Sequence, residues 1–257
     1  MVGLKINFLG TGTSQGIPII GNTDPVCLSE NSRDKRLRSS VWIEWDDVSV
    51  VIDCGPDFRY QMLRSACPRI DALLITHEHA DHTAGLDDIR PYVFKQGAMP
   101  IYSLKRVLDN LASRYAYIFS DKNKYPGAPS VTAHAVDPKK PFTIGSKTII
   151  PLIVEHYGLD VLGYRFGSFA YITDMARISE EEKQKLVGVE VLVINALRIA
   201  PHPSHLHLEA AIAFAQEIGA KQTYFTHISH KLGFHDAVSA SLPKNIHLAY
   251  DTLTITL

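Results

Sequence analysis

Thr76-His77-Glu78-His79-Ala80-Asp81-His82 is the stretch on which the reading of this chain turns. It follows directly on an apolar run, Ala72–Ile75, and packs three imidazoles and the carboxylate of Asp81 into six residues beginning at His77. In an extended segment alternate side chains share a face, so His77 and His79 can converge on one ion. Asp81 and His82, on the turn expected to follow, can face a second ion beside it. Zinc accepts imidazole nitrogen and carboxylate oxygen in tetrahedral or five-coordinate geometry, which makes these residue types chemically apt. A plain histidine-rich loop would have to place four specified residues by chance, at odds of roughly one in a thousand for this composition.

Outward from this segment, apolar runs alternate with turn clusters. Lys5–Leu9, Val41–Trp45, Val48–Ile52 and Ala72–Ile75 read as strands, as do Thr148–Val154, Leu162–Phe166, Ala170–Thr173, Val189–Ile194, Gln222–Phe225 and Ile246–Ala249. Asp57–Ser65, Leu104–Arg114, Ser179–Leu186 and Leu208–Ile218 have helical spacing. In the last, Leu208, Ala211, Ile212, Ala215 and Ile218 share a face, Ser204 or His205 stands near the start, and Gly219 is the stop. Strands first, then strands mixed with helices, then strands again suit two sheets with helices packed outside them, an α/β arrangement. With 257 residues, 46% of them hydrophobic, one domain spanning 1–257 is expected. Gly10–Arg38 and Ser113–Ser130 read as long loops, a class that is usually functional or disordered. The second holds Arg114, Tyr115, Tyr117, Phe119 and Tyr125 and suits a lid, a homodimer contact or simple packing.

The 26 Lys+Arg nearly cancel the 27 Asp+Glu, leaving a formal charge of -1. No global basic field is expected to hold the protein on nucleic acid or an anionic membrane, so any anion must be gathered locally. Three cysteines, Cys27, Cys54 and Cys67, make no disulfide framework and suit a reducing compartment. Met1 to Gly10 lacks the pattern of a signal peptide, and no apolar stretch has the length of a membrane span. A cytoplasmic protein is expected.

The pattern His-x-His-x-Asp-His after a buried strand resembles the signature of the metallo-β-lactamase superfamily. That resemblance implies a four-layer αββα sandwich with metals at its edge. It further implies that Asp53, in Ile52-Asp53-Cys54-Gly55, orients the metal loop. His156, Asp174 and His227, each at the carboxyl end of an apolar strand, complete the implied set. One site would be His77, His79 and His156, the second Asp81, His82 and His227, with Asp174 bridging. Two divalent ions are implied, zinc first, with manganese and iron also compatible with these donors. Ions about 3.5–4 Å apart make a water nucleophilic near neutral pH and take up charge on the attacked oxygen.

Leu9-Gly10-Thr11-Gly12-Thr13-Ser14-Gln15-Gly16-Ile17-Pro18 and Arg33-Asp34-Lys35-Arg36-Leu37-Arg38-Ser39-Ser40 resemble the phosphodiesterase side of that superfamily. They are most similar to phosphoribosyl cyclic phosphodiesterases of phosphonate breakdown and their relatives. The glycine-rich segment fits either direct phosphate contact or a plain turn, and the basic run reads as a solvated loop. Those relatives bind a structural zinc through Cys-x-Cys-x-x-Cys and a histidine three residues past the last metal ligand. Here the stretch is Asn22-Thr23-Asp24-Pro25-Val26-Cys27, so only one sulfur remains beside His230. A third site at Asp24, Cys27 and His230 would be weak and is not favoured.

The catalytic candidates are His205, Asp81 and Asp53. His205 is chosen as general acid because an imidazole donates protons near neutrality, with His202 and His207 as competitors. His134, His235 and His247 are expected to be surface or structural residues. The expected activity is metal-dependent hydrolysis of a small phosphate diester, cyclic ones included, by metal-bound hydroxide. The alternatives are a transfer-RNA-processing ribonuclease, a thioester or lactone hydrolase, and a metal-stabilised binding module without turnover.

Overall fold

Alternation along the strands sorts apolar side chains onto two faces, and that sorting builds the layers. In the computed structural model, which describes residues 3–120, 122 and 124–257, the strands are β1 (Lys5–Gly10), β2 (Ser40–Trp45), β3 (Val48–Ile52), β4 (Ala72–Leu74), β5 (Met99–Ser103), β6 (Val131–Ala135), β7 (Phe142–Ile144), β8 (Lys147–His156), β9 (Leu159–Phe166), β10 (Phe169–Tyr171), β11 (Val191–Asn195), β12 (Gln222–Thr226), β13 (Ile246–Leu248) and β14 (Thr254–Thr256). One sheet runs β14-β1-β2-β3-β4-β5-β6 and the other β13-β12-β11-β10-β9-β8-β7.

On β3, Val50 and Ile52 turn inward to the other sheet, whereas Val51 faces the outer helices. On β11, Val193 points between the sheets while Leu192 and Ile194 point outward. The inner layer joins Ile6, Phe8, Ile43 and Trp45 to Tyr164, Phe166, Phe169 and Tyr171. Helices Phe58–Ser65, Arg90–Gln96 and Lys105–Arg114 cover the first sheet, and Leu208–Ile218 and His235–Ser241 cover the second. The architecture is therefore the expected αββα sandwich. Helix Leu208–Ile218 buries Ala211, Phe214 and Ala215, and it ends at Gly219 with a left-handed φ of 68°.

All ten strands read from sequence are present, with ends moved by at most three residues. β5, β6, β7 and β14 were not legible. β5 carries Pro100, β6 is a largely exposed edge strand with little alternation, and β7 and β14 are three residues long. Asp81 and His82 lie not on a turn but in a short helix, Ala80–Thr83.

The long loops are also more ordered than their sequences suggest. Within Gly10–Arg38, Asp24 caps a short helix, Pro25–Leu28, accepting from Val26 N at 2.9 Å. The basic run is not a solvated loop, because Arg36 is buried and donates to Thr11 Oγ1 at 2.7 Å and to the Ala249 carbonyl at 2.6 Å. The amides of Gly12, Thr13, Gly16 and Ile17 bond to backbone carbonyls, which favours the plain-turn reading of the glycine segment. In Ser113–Ser130, Ile118 is buried, Tyr115 donates to the Thr83 carbonyl and Tyr117 to Asp87, so packing accounts for this stretch. Asp121 and Asn123 of that stretch, like Met1 and Val2, lie outside the described residues. Among the described residues no helix is long and apolar enough to cross a membrane.

Candidate metal centre

Each expected ligand is delivered by the carboxyl end of a strand. Asp53 follows β3, the His77–His82 segment follows β4, His156 ends β8, Asp174 lies three residues past β10 and His227 follows β12. β3 and β4 are parallel, as are β10, β11 and β12, so these ends gather along one edge of the sandwich. Asp53, Asp174 and His227 have φ of 63°, 56° and 54°. Left-handed backbone at a residue other than glycine costs of order 1–3 kcal/mol, and it clusters at functional sites. Here it bends the chain sharply at the strand ends.

The seven expected ligands come together. His77 Nε2 lies 2.9 Å from His79 Nδ1, and the His156 ring sits 5.3 Å from that of His79. These three can offer one atom each to a common centre, and Asp81, His82 and His227 can do the same. Asp174 joins the groups, with Oδ2 3.2 Å from His82 Nε2 and Oδ1 3.2 Å from His227 Nε2. It also groups with His77 and His82, and with His156 and His205.

Behind the centre, fully buried Asp53 organises the segment. Its Oδ2 accepts from His82 Nδ1 at 2.7 Å and from Thr76 Oγ1 at 2.9 Å, and its Oδ1 accepts from Thr76 N at 2.8 Å. Since the Thr76 hydroxyl spends its proton on Asp53, it accepts from His77 Nδ1 at 3.0 Å. His156 Nδ1 donates to the Ser204 carbonyl at 2.8 Å. These bonds occupy Nδ1 of His77, His82 and His156 and leave Nε2 as the atom each ring would offer to a metal. Asp53 is thus placed to orient ligands rather than to touch a substrate. Gly55 is needed for close approach, because a Cβ there would lie 2.0 Å from the Asp81 carbonyl oxygen.

Charge in the cluster is concentrated. Although burial works against ionisation, His82 and His227 hold Asp81 and Asp174 well below the usual carboxylate range. Burial and neighbouring His82 push His77 far down, into the neutral form that binds metals. His82 goes the other way: burial lowers it, but Asp81, Asp174 and Asp53 together raise it well above an ordinary histidine. Meanwhile His82 Nε2, His205 Nδ1 and both nitrogens of His227 are buried without a hydrogen-bond partner. Three carboxylates around one ring, with lone pairs facing oxygens at 3.2–3.6 Å outside hydrogen-bond geometry, form a donor set that fits divalent cations.

Of the three candidate acids, His205 reaches the centre. Its ring lies 4.9 Å from His227 and 4.6 Å from His156, with Nδ1 3.7 Å from Asp174 Oδ1. Burial, then His227, pushes it down to about 3. His202 stands 5.2 Å from His205 and accepts from Ser204 through Nδ1, while His207 is the residue before helix Leu208–Ile218. His134 stacks on Tyr102, His247 pairs with Gln222 and His235 meets Arg36, all away from the centre. Asp24, Cys27 and His230 form no ligand group among the described residues.

Sequence reading passed over Thr76, Ser204 and Tyr157. Thr76 had a signal, a hydroxyl closing an apolar strand beside the first ligand, whereas Ser204 acts through its backbone and leaves none. Tyr157 lines a cavity of 370 Å3 with His79, His156, Leu159, Pro203 and Ser204.

Comparisons with known proteins bear on the family and the fold. The family described as Beta-lactamase superfamily domain matches residues 49–228. The chain is similar to an octanoyltransferase of Porphyromonas gingivalis, with 41% identity over 252 residues, 97% of this chain and 51% of that protein. It therefore spans about half the length of that relative. The crystal structure of a new diphosphatase from the PhnP family superposes with a TM-score of 0.92 at 39% identity, covering 99% of this chain and 97% of that one. Zn(2+)-bound PqqB from Methylobacterium extorquens shares the fold, with a TM-score of 0.80 at 18% identity over 98% and 100% of the two chains.

Proposed function

Since this chain belongs to the beta-lactamase superfamily, we propose that it is a binuclear metal-dependent phosphodiesterase acting on a small phosphate diester, cyclic ones included. The observation that carries this reading is the convergence of Asp81, Asp174 and unpartnered buried imidazole nitrogens at one sheet edge. His77, His79 and His156 would hold one ion and Asp81, His82 and His227 the other, with Asp174 between them. The donors favour zinc, and Zn(2+)-bound PqqB is in keeping with it, although manganese and iron accept the same atoms. When bound, such a pair supplies Lewis acidity and an activated water.

The chain's own groups do the rest. Asp53 and Thr76 hold the rings of His77 and His82, and the Ser204 carbonyl holds His156. As the water oxygen adds to phosphorus, the P–O bond to the leaving group breaks, and His205 gives that alkoxide its proton. Burial and His227 favour the neutral ring of His205, and the negative charge of a bound diester would favour its protonated form. The diphosphatase similarity supports attack at phosphorus. With a formal charge of -1 a small-molecule substrate is favoured over nucleic acid, and three free buried thiols suit the cytoplasm.

A second reading, hydrolysis of an acyl ester or thioester, is favoured by the name of the octanoyltransferase relative, since the same centre would polarise a carbonyl. Steady-state hydrolysis of bis(p-nitrophenyl) phosphate, p-nitrophenyl phosphate and a thioester by metal-loaded protein separates the two. We expect the diester to be preferred, with activity lost on chelation and reduced more than about 100-fold in His79→Ala, beyond the usual effect of an outer partner. Preference for the thioester would transfer the assignment to acyl hydrolysis. Absence of all turnover with two ions bound would sink both readings.

A further inference from the structure

The hairpin from β8 to β9 turns through Tyr157 and Gly158 alone, with φ of 51° and 80°. Two residues of positive φ in a tight hairpin make a turn in which asparagine or aspartate normally leads, because a short polar side chain tolerates left-handed backbone. A bulky side chain does not. Nor does packing offset the strain, for Tyr157 is 76% exposed. An aromatic ring is thus held in an unfavourable conformation, in water, one residue after a candidate metal ligand. It lines the same cavity as His79 and His156, with Leu159 and Pro203 beside it. That lining contains no lysine or arginine. Its outer wall therefore suits an uncharged, flat group, while the anionic phosphorus belongs at the His/Asp cluster. At 370 Å3 the cavity is within the range of small-molecule sites.

We propose that Tyr157, with Leu159 and Pro203, forms a subsite for a planar aromatic ring carried on the phosphate ester, a nucleobase or an aryl group stacking on the tyrosine. This deepens the phosphodiesterase reading and rests on it. Stacking of a base on a protein aromatic changes affinity by about 5- to 150-fold, and it acts on binding rather than on the bond-breaking step.

The test compares wild type, Tyr157→Asn and Tyr157→Phe as metal-loaded full chains. kcat and KM are measured for 2′,3′-cyclic AMP, bis(p-nitrophenyl) phosphate and glycerol 1,2-cyclic phosphate, which has no aromatic ring. In Tyr157→Asn the preference for aromatic over non-aromatic diesters should fall about 5- to 150-fold through KM, while Tyr157→Phe keeps it. The thermal midpoint of Tyr157→Asn should equal or exceed that of wild type, because asparagine suits the turn. A loss confined to 2′,3′-cyclic AMP assigns the subsite to a nucleobase, and one confined to the p-nitrophenyl diester assigns it to an aryl group. An unchanged preference in a turning-over enzyme overturns this inference alone. Failure of wild type on all three diesters overturns the phosphodiesterase reading, and this one with it.

Discussion

Residues 76–82 and residues 33–40 are both short, charged segments beside apolar strands, yet they handle their polar atoms in opposite ways. Around the second, contacts are closed apart from Gln61 Oε1, beside Arg38. Arg36 donates to Thr11, Ala249 and His235; Asp251 accepts from Thr11, Leu37 and Arg64; and Asp34 accepts from Ser29 and the amide of His235. Around the first they stay open, with His82 Nε2 and both nitrogens of His227 lacking a partner. Single buried atoms without partners also occur elsewhere, at Trp45 Nε1 and Thr223 Oγ1. Convergence on one point is what distinguishes the first cluster. A buried polar cluster that holds the fold satisfies itself, whereas one that holds a ligand leaves its donors and acceptors for the ligand.

The contrast is sharpest at Asp174. Asp174→Asn should reduce diester hydrolysis by roughly 1000-fold or more, as expected for loss of charge between two ions. Denaturant unfolding in chelator should show the metal-free variant less stable by only about 1 kcal/mol, because the charge that His227 and His82 hold on Asp174 is lost while Asp53 and Asp81 still pair with His82. A loss of several kcal/mol would instead place Asp174 among the groups that hold the fold. Arg36→Met should show the opposite, a stability loss of about 3–5 kcal/mol, because the Thr11 hydroxyl, the Ala249 carbonyl and His235 lose their buried donor. Its kcat/KM per folded molecule should stay within about twofold. Full stability with lost turnover would erase the distinction.

The smallest effect is expected at His235, which faces Arg36, Arg33, Asp34, Asp236 and Tyr250. Burial, then Arg36 and Arg33, draws it down to about 4. Because the folded value lies below that of the unfolded chain, the unfolded state takes up a proton first as pH falls. Stability should therefore decline between about pH 6.5 and 4, by at most about 3 kcal/mol. His235→Gln should flatten that part of the curve when unfolding free energy is measured against pH.

The same difference explains what could be read in advance. The His77–His82 segment was legible because its candidate ligands lie close together and follow a continuous apolar strand. His156, Asp174 and His227 lie far apart in the chain, and only a family resemblance tied them together. Their meeting depends on the register of β8, β10 and β12, which no local pattern encodes. Arg36 was misread because a basic run carries no mark of the partners, Thr11 and Ala249, that enclose it. β6 and β14 were missed for a related reason: an edge strand makes half the contacts of a central one, so its composition is less constrained. The proposed general acid is the least legible residue, since His202, His205 and His207 share one segment and only packing separates them.

β14 closes the first sheet against β1, with Lys5 opposite Thr256 and Asn7 opposite Thr254. On a ribosome adding about 5–20 residues per second, β1 therefore waits roughly 10–50 s for its outer neighbour. Throughout that interval one rim of the sheet presents unpaired amides and carbonyls, a template for strands of other molecules. Losing the last few residues of the sheet would make that transient hazard permanent, so solubility during synthesis depends on a three-residue strand remote from the chemistry.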